Sequence, residues 1–427
     1  MKARTLPGRE PLRCGYGEAD ITPPLGVDLC GYGFYLDRKA QGVRDALKAR
    51  ALRLGRGETD LLIVSCDLLM HWIGSSDEIR AEIGRRLGLP RSSVLLTSTH
   101  THSGPATRSM PGLGEADPAY WAGLPSKIIE AAERADRDLR PCTAAWAFET
   151  IEPIGLNRRT MDFRDIDPVL KTLVFDRSGD KVHLWNYACH AVVLGRQSFV
   201  SADWPGAAAA ALEARGRRGV FLQGFCGDID PVTQHDRWGE GTDEDLALYG
   251  EIIARRLVKA EGRTEAVEDP ILQAAEARIN LPLQAYDAAR IRRFAATFIR
   301  RYGRFPGAAR FADDWETRAI KERAAVHANP RLEDVPVQAM AIGKIKLAAL
   351  PGEVYSAYAV GLRRDFDPLI PVGYANGVVG YIPTRQAYAD PLDYGAWCAP
   401  AFYGIFPFRP DAGAVLMQNV RRLLRGL

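Results

Sequence analysis

The chain has no run of about 18 apolar residues, the length a helix needs to cross a bilayer. Its N-terminus, MKARTLPGREPLRCGYGEADITPP, is charged and proline-rich and lacks the apolar centre of a signal peptide. Those two absences predict a cytoplasmic protein without stable membrane insertion. Seven cysteines include no CxxC pair, and their odd number and wide spread exclude a disulfide framework and predict buried thiols. Neither sign of charge dominates: 56 basic residues face 53 acidic ones, and a net charge of +3 creates no field that would draw nucleic acid. No internal repeat, low-complexity tract or clear linker is visible.

What is present is the balance of a globular protein, 47% hydrophobic and 26% charged, over a length that buries a sizeable core. Short β-prone runs at 60–70, 93–99, 181–190 and 219–225 predict strands, and 337–353 predicts a hairpin turning at Ile342, Gly343 and Lys344. Apolar residues at three- and four-residue spacing predict helices at 76–88, 118–136, 205–216, 243–261, 353–366 and 412–426. Strands interleaved with helices indicate an α/β class, with mixed β-sheets flanked by helices in a single domain over 1–427. Residues 284–329 break the pattern with two helical segments around the breaker Phe-Pro-Gly, and we expect a helical cap bordering a pocket. On the first segment Ile291, Phe294, Phe298 and Tyr302 share a face ringed by arginines. That face suits a lipid surface, or, more often for such stripes, packing on the domain beneath it.

Chemistry concentrates where apolar runs end. LLTSTHTHSGPA (95–106) carries His100 and His102, whose i, i+2 spacing in an extended strand end would turn both to one pocket. Taken singly, such a histidine is more often one satisfied by a backbone carbonyl than a ligand. His190 ends a second run, HLWNYACHAVV, and Glu353 follows a third in ALPGEVYSAY, where a carboxylate in the first turn of a helix would also be favoured by the helix dipole. Two histidines and a glutamate form a usual donor set for catalytic zinc with a coordination position left for water. GFCGDIDP (224–231) adds Asp228 and Asp230 as a support, a second metal site or turn caps, and Asp203 in SADWPG reads as a helix cap. GLNRRTMDF carries Arg158 and Arg159, and NGVVGYIPTRQAY carries Tyr381.

With these segments in order, GEADITPPLGVDLCGYG, TSTHTHSGPA, GLNRR, NYACHAVVLG, FLQGFCGDIDP, LPGEVYSAY and GYIPTRQAY, the chain resembles the catalytic domain of the neutral, non-lysosomal ceramidases over nearly its whole length. The resemblance implies a zinc ion held by His100, His190, Glu353 and Tyr381, with His102 and Arg158 contacting substrate. It also exposes two departures. Asp230 stands where those ceramidases have a serine held to be important in catalysis, and this sequence ends at Leu427 without the family's C-terminal immunoglobulin-like extension or an export signal. The expectation is therefore a zinc-dependent hydrolase of an amide-type (N-acyl) bond in a small or polar substrate rather than in ceramide. Asp230 would be the base for direct water attack, His102 or Tyr381 would protonate the leaving group, and Arg158 would bind an anionic group or oxyanion. An esterase, lactonase or phosphoester hydrolase with a second ion on Asp228 and Asp230, and a non-catalytic ligand-binding relative, are the competing readings. A homo-oligomer is compatible with all of them.

Overall fold

A computed structural model of the chain describes residues 10–33, 38–109, 114–305 and 307–427. The first nine residues of the charged N-terminal segment and Pro306 of the Phe-Pro-Gly breaker lie outside them. The architecture is α/β, with mixed sheets flanked by helices, and it contains a repetition that the sequence hides.

The first sheet is built from β1 (Arg13–Asp20), β2 (Lys48–Arg56), β3 (Thr59–Cys66) and, after helix α1 (Ile73–Leu87), β4 (Val94–Ser98). β1, β2 and β3 pair antiparallel, and β4 returns parallel to β3. Helix α2 (Pro118–Arg137) follows. The second sheet repeats this with β5 (Thr143–Thr150), β6 (Val169–Arg177), β7 (Asp180–Tyr187), α3 (Asp203–Glu213), β8 (Arg217–Gln223) and then α4 (Asp243–Ala260). The third repeats it again. β9 (Leu272–Pro282) leads through α5 (Ala288–Tyr302) and α6 (Ala308–Ala328) to β10 (Arg331–Ile342) and β11 (Ile345–Ala349). Then come α7 (Ser356–Phe366), β12 (Leu369–Val372) and α8 (Ala412–Gly426). Four strands in the same order, with the same single parallel pair, thus recur three times. The absence of an internal repeat is true of the residues and not of the fold, because side-chain pattern and pairing direction are all that the topology requires.

Strand alternation sorts the core. Leu61, Ile63 and Leu95 of the first sheet point into a cluster shared with Leu184, Val220 and Leu222 of the second and Ile345, Leu347 and Ile370 of the third. Their neighbours Leu62, Val64 and Leu96 face outward onto Ile83, Leu124 and Ile128 of α1 and α2. Helices likewise cover the outer faces of the other two sheets. In the α5–α6 insertion the apolar stripe is packed rather than displayed: Phe294 meets Trp315 at 4.4 Å, and Phe298 meets Phe311 at 5.1 Å and Phe402 at 6.0 Å. Among the described residues no helix is long and apolar enough to cross a membrane.

Candidate active site

In all three units the parallel pair ends at the same side, and the loops leaving those ends converge. His100 lies two residues beyond β4, His190 three beyond β7, and Glu353 four beyond β11. Each unit gives one donor.

His100 and His102 do come together, their Nε2 atoms 3.1 Å apart, but not for the expected reason, and only His102 lines the cavity described below. His100 is not extended; it has φ 65°, left-handed backbone that costs a non-glycine residue about 1–3 kcal/mol and so survives only where surrounding contacts enforce it. Those contacts are present. His100 N–H donates to Leu68 O at 3.0 Å, and His102 N–H donates to Ala191 O at 3.2 Å. Thr101 bridges in parallel to Ala191. The buried Gln223 amide donates to both Thr99 O (3.0 Å) and Cys189 O (2.9 Å), tying the two histidine loops together.

Glu353 is not in a helix either. Helix α7 starts at Ser356, and Glu353 belongs to a two-residue strand, Glu353–Val354, paired in parallel with Tyr381–Ile382. The dipole explanation for the carboxylate therefore fails, and the pairing sets Tyr381 beside Glu353. Asp203 also departs from its reading as a cap. The cap position is Ala202, and the buried Asp203 carboxylate accepts from Val193 N–H (2.9 Å) and Leu194 N–H (3.0 Å), fixing the chain just after His190.

The donor atoms meet. Carbonyl oxygens only accept, so the Leu69 oxygen 2.8 Å from His100 Nδ1 and the Ile229 oxygen 2.9 Å from His190 Nδ1 fix a proton on each Nδ1. Both Nε2 lone pairs are thereby left facing Glu353 Oε2, each at 3.3 Å. His190 Nε2 has no hydrogen-bond partner among the described residues. His102 Nε2 lies 3.1 Å from His100 Nε2, and ligand atoms of His100, His102 and His190 all fall within 4.8 Å of one another. Burial, reinforced for His102 by the neighbouring imidazoles, holds His100 and His102 below the usual histidine range and so keeps them neutral. Burial opposes ionisation of Glu353 too, but the facing imidazoles outweigh it when one of them carries a proton and hold its carboxyl well below the usual carboxylate range; His190 is the one whose pKa rises, to about 10, against its own burial. Two imidazole nitrogens and a carboxylate oxygen turned inward on one another, with the Nδ1 protons of His100 and His190 committed to backbone carbonyls, fit a cation. Among the described residues these histidines are the one such cluster, and Asp228 and Asp230 form no second one. Asp228 is spent on structure, accepting from Ser356 N–H at 2.7 Å.

Around the donors stand groups with no sequence signal of their own. Tyr403 donates to Glu353 Oε1, and Tyr374 donates to Oε2 at 3.4 Å while stacking on the His100 ring at 4.1 Å. Tyr32 sits edge-on to His102 at 5.1 Å, and the buried Arg38 donates to His102 O at 2.8 Å. Arg158 joins the remaining predicted residues, donating to Tyr381 Oη (2.9 Å), Gly227 O (2.7 Å) and Asp230 Oδ1 (3.3 Å). Burial opposes the charge on Arg158, yet Tyr381 and Asp230 more than compensate. Burial also keeps the Tyr381 phenol protonated against the pull of Arg158. Arg159 instead binds Asp393 at 2.6 Å, whose other oxygen receives Tyr355. His102, His190, Arg158, Asp230 and Tyr381 all open onto a cavity of about 630 Å³.

Residues 12–234, just over half of the chain, match the model of the N-terminal domain of neutral/alkaline non-lysosomal ceramidases. The chain belongs to that family. Among its ceramidase relatives, it is 23% identical to the neutral ceramidase of Mycobacterium tuberculosis, covering 89% of this chain and 72% of that one. It is 22% identical to the neutral ceramidase of Pseudomonas aeruginosa, over 95% of this chain and 73% of the relative. The crystal structure of the Pseudomonas aeruginosa neutral ceramidase superposes with a TM-score of 0.75 over 97% of this chain and 74% of that one, at 20% identity. A structure described as ceramidase complexed with C2 superposes at 0.76 over 97% and 75%, at 18% identity. At that identity the superpositions establish that this family member has the ceramidase fold.

Proposed function

We propose that the chain is a zinc-dependent hydrolase of linear amides, cleaving an N-acyl bond by direct attack of water. The observation that carries this is the inward convergence of His100 Nε2, His190 Nε2 and Glu353 Oε2 at 3.3 Å, in a family whose relatives are ceramidases. His100, His190 and Glu353 would hold the ion, with Tyr381 completing the set. When bound, zinc supplies Lewis acidity to the scissile carbonyl and lowers the pKa of water towards about 7.

The chain's own groups do the rest. Asp230 accepts the proton of the attacking water. Its carboxylate lines the cavity 3.8 Å from His190 Nδ1, and a carboxylate is a stronger base than the serine hydroxyl expected at this position. Arg158 stabilises the developing oxyanion, supported by its fork already holding Tyr381 Oη and the Asp230 carboxylate. Tyr381, kept protonated by burial, hands a proton to the departing amine; His102, neutral at rest and lining the cavity while His100 does not, is the alternative donor once it has received the proton that Asp230 takes from water. The α5–α6 insertion acts as the cap of a single domain, consistent with Arg301, Tyr302, Arg304 and Phe305 lining the same cavity.

Elemental analysis of purified protein tests the reading: about one zinc per chain is expected, lost in His100→Ala and His190→Ala together with turnover of N-acyl substrates. Active protein free of metal would refute it.

A further inference from the structure

Four arginines line the cavity, and two are neutralised within it, Arg158 by Asp230 at 3.3 Å and Arg159 by Asp393 at 2.6 Å. The other two, Arg301 in the last turn of α5 and Arg304 in the turn after it, are exposed and have no carboxylate within ion-pair distance among the described residues. Arg301 donates to Leu392 O at 3.1 Å and lies over Tyr302, and Arg304 lies over Phe305 at 4.9 Å. Asp390 on the same rim accepts Leu392 N–H at 2.8 Å on one oxygen, and neither arginine is within ion-pair distance of it. Their own element offers no relief, since the sequence from Ala288 to Ala312 contains seven arginines and no acid. A basic residue in a last helical turn offsets the helix dipole, which accounts for Arg301 but not for Arg304, beyond the helix end.

An apolar wall connects this cationic rim to the reacting groups. From Tyr381, held by Arg158, the lining rings of Tyr394 (5.5 Å) and Phe402 (6.3 Å) follow, and the buried Phe298 behind them joins Phe402 (6.0 Å) to the lining Tyr302 (4.9 Å). We infer that the amide substrate carries an anionic group, carboxylate, sulfonate or phosphate, at the end of an apolar arm that lies along this wall, and that Arg301 and Arg304 select it. The inference rests on the amide-hydrolase reading for the identity of the scissile bond. Guanidinium forks suit such anions, and because the rim is open to water the preference is modest and falls with ionic strength.

The test uses the full chain with its native metal and two series of soluble ligands: N-acetyl-ω-aminoalkanoates of hexyl to dodecyl length and the N-acetylalkylamines of equal length. Calorimetric binding and KM are both measured. The acids are expected to bind roughly tenfold tighter, with the advantage lost at high salt and collapsed in the double variant R301E/R304E, whose helix content by circular dichroism stays unchanged. Because these probes are monomeric, the gain belongs to the cavity rather than to a lipid surface. Equal binding of the two series, or a preference for negative charge seen only with anionic vesicles, overturns the inference. If neutral amides are nonetheless hydrolysed, the hydrolase reading stands without it. Tighter binding of the acids with no amide cleaved would support the cationic rim and remove the hydrolase.

Discussion

At Asp230 the resemblance to the ceramidases implies a serine, and replacing the aspartate reports on mechanism directly. Asp230→Asn keeps the shape and removes the base. If Asp230 takes the proton of water, kcat/KM should fall about 10²–10⁴-fold with zinc content intact, and mass spectra of quenched turnover should show no adduct on the chain. A rate within twofold of the parent would assign the base elsewhere. His71 makes a different kind of prediction. It is fully buried, both ring nitrogens lack a hydrogen-bond partner among the described residues, and burial lowers its pKa to about 4. The folded state then keeps His71 neutral while the unfolded chain protonates it below about 6.5, so stability drains away as pH falls from 6.5 towards 4. The loss approaches about 3 kcal/mol as an upper bound. His71→Leu should flatten that part of the profile of urea midpoints against pH. An unchanged slope would mean that His71 protonates in place.

Loops rather than regular elements hold the reacting groups, and one glycine tests how tightly. Gly31 has φ 116°, and a Cβ there would stand 2.6 Å from His102 Cγ. Gly31→Ala should therefore push the His102 ring out of place and lower kcat roughly 10- to 100-fold. Zinc content should hold if His102 moves protons, and should fall if it is a ligand. The motifs that carry the site were legible because donors at strand ends stand out against apolar runs: His100, His190, Glu353, Arg158 and Tyr381 all come together in space. Several strands were not. Lys48–Arg56 reads ARALRL, helix-like by composition, but is a strand paired on both sides by β1 and β3, its buried arginines matched where Arg50 meets Asp67 and Arg53 meets Asp60, each at 2.8 Å. β9, with three alanines and the helix formers Gln273, Glu276 and Arg278, is a strand because β10 pairs along nearly its whole length, which overrides propensity. Tyr374 and Tyr403 could not be found at all, since nothing in a lone tyrosine says that it will fold back onto a glutamate.

Three similar four-stranded units share one central cluster of apolar side chains, and each contributes one inward-facing donor to the same point. The units are thus held by two kinds of cohesion. Burial acts between the sheets over many residues, while the donors add a local force of opposite sign: two imidazole lone pairs and a carboxylate crowded together repel one another unless a positive charge, proton or metal, stands among them. A cation converts that repulsion into a cross-link among all three units and binds only the folded state, so it stabilises by mass action, about 2.7 kcal/mol when free metal stands at a hundred times its dissociation constant. Chelation should therefore lower the thermal midpoint of the parent by several degrees in one cooperative transition, since no unit can release its donor without disturbing the shared core. In Glu353→Gln the carboxylate charge that both draws the ion and faces the lone pairs is gone, so the midpoint should start low and no longer respond to chelator. A parent midpoint indifferent to chelation would mean that the sheets cohere through their apolar faces alone and that the donor cluster is too weak a site to carry the proposed chemistry.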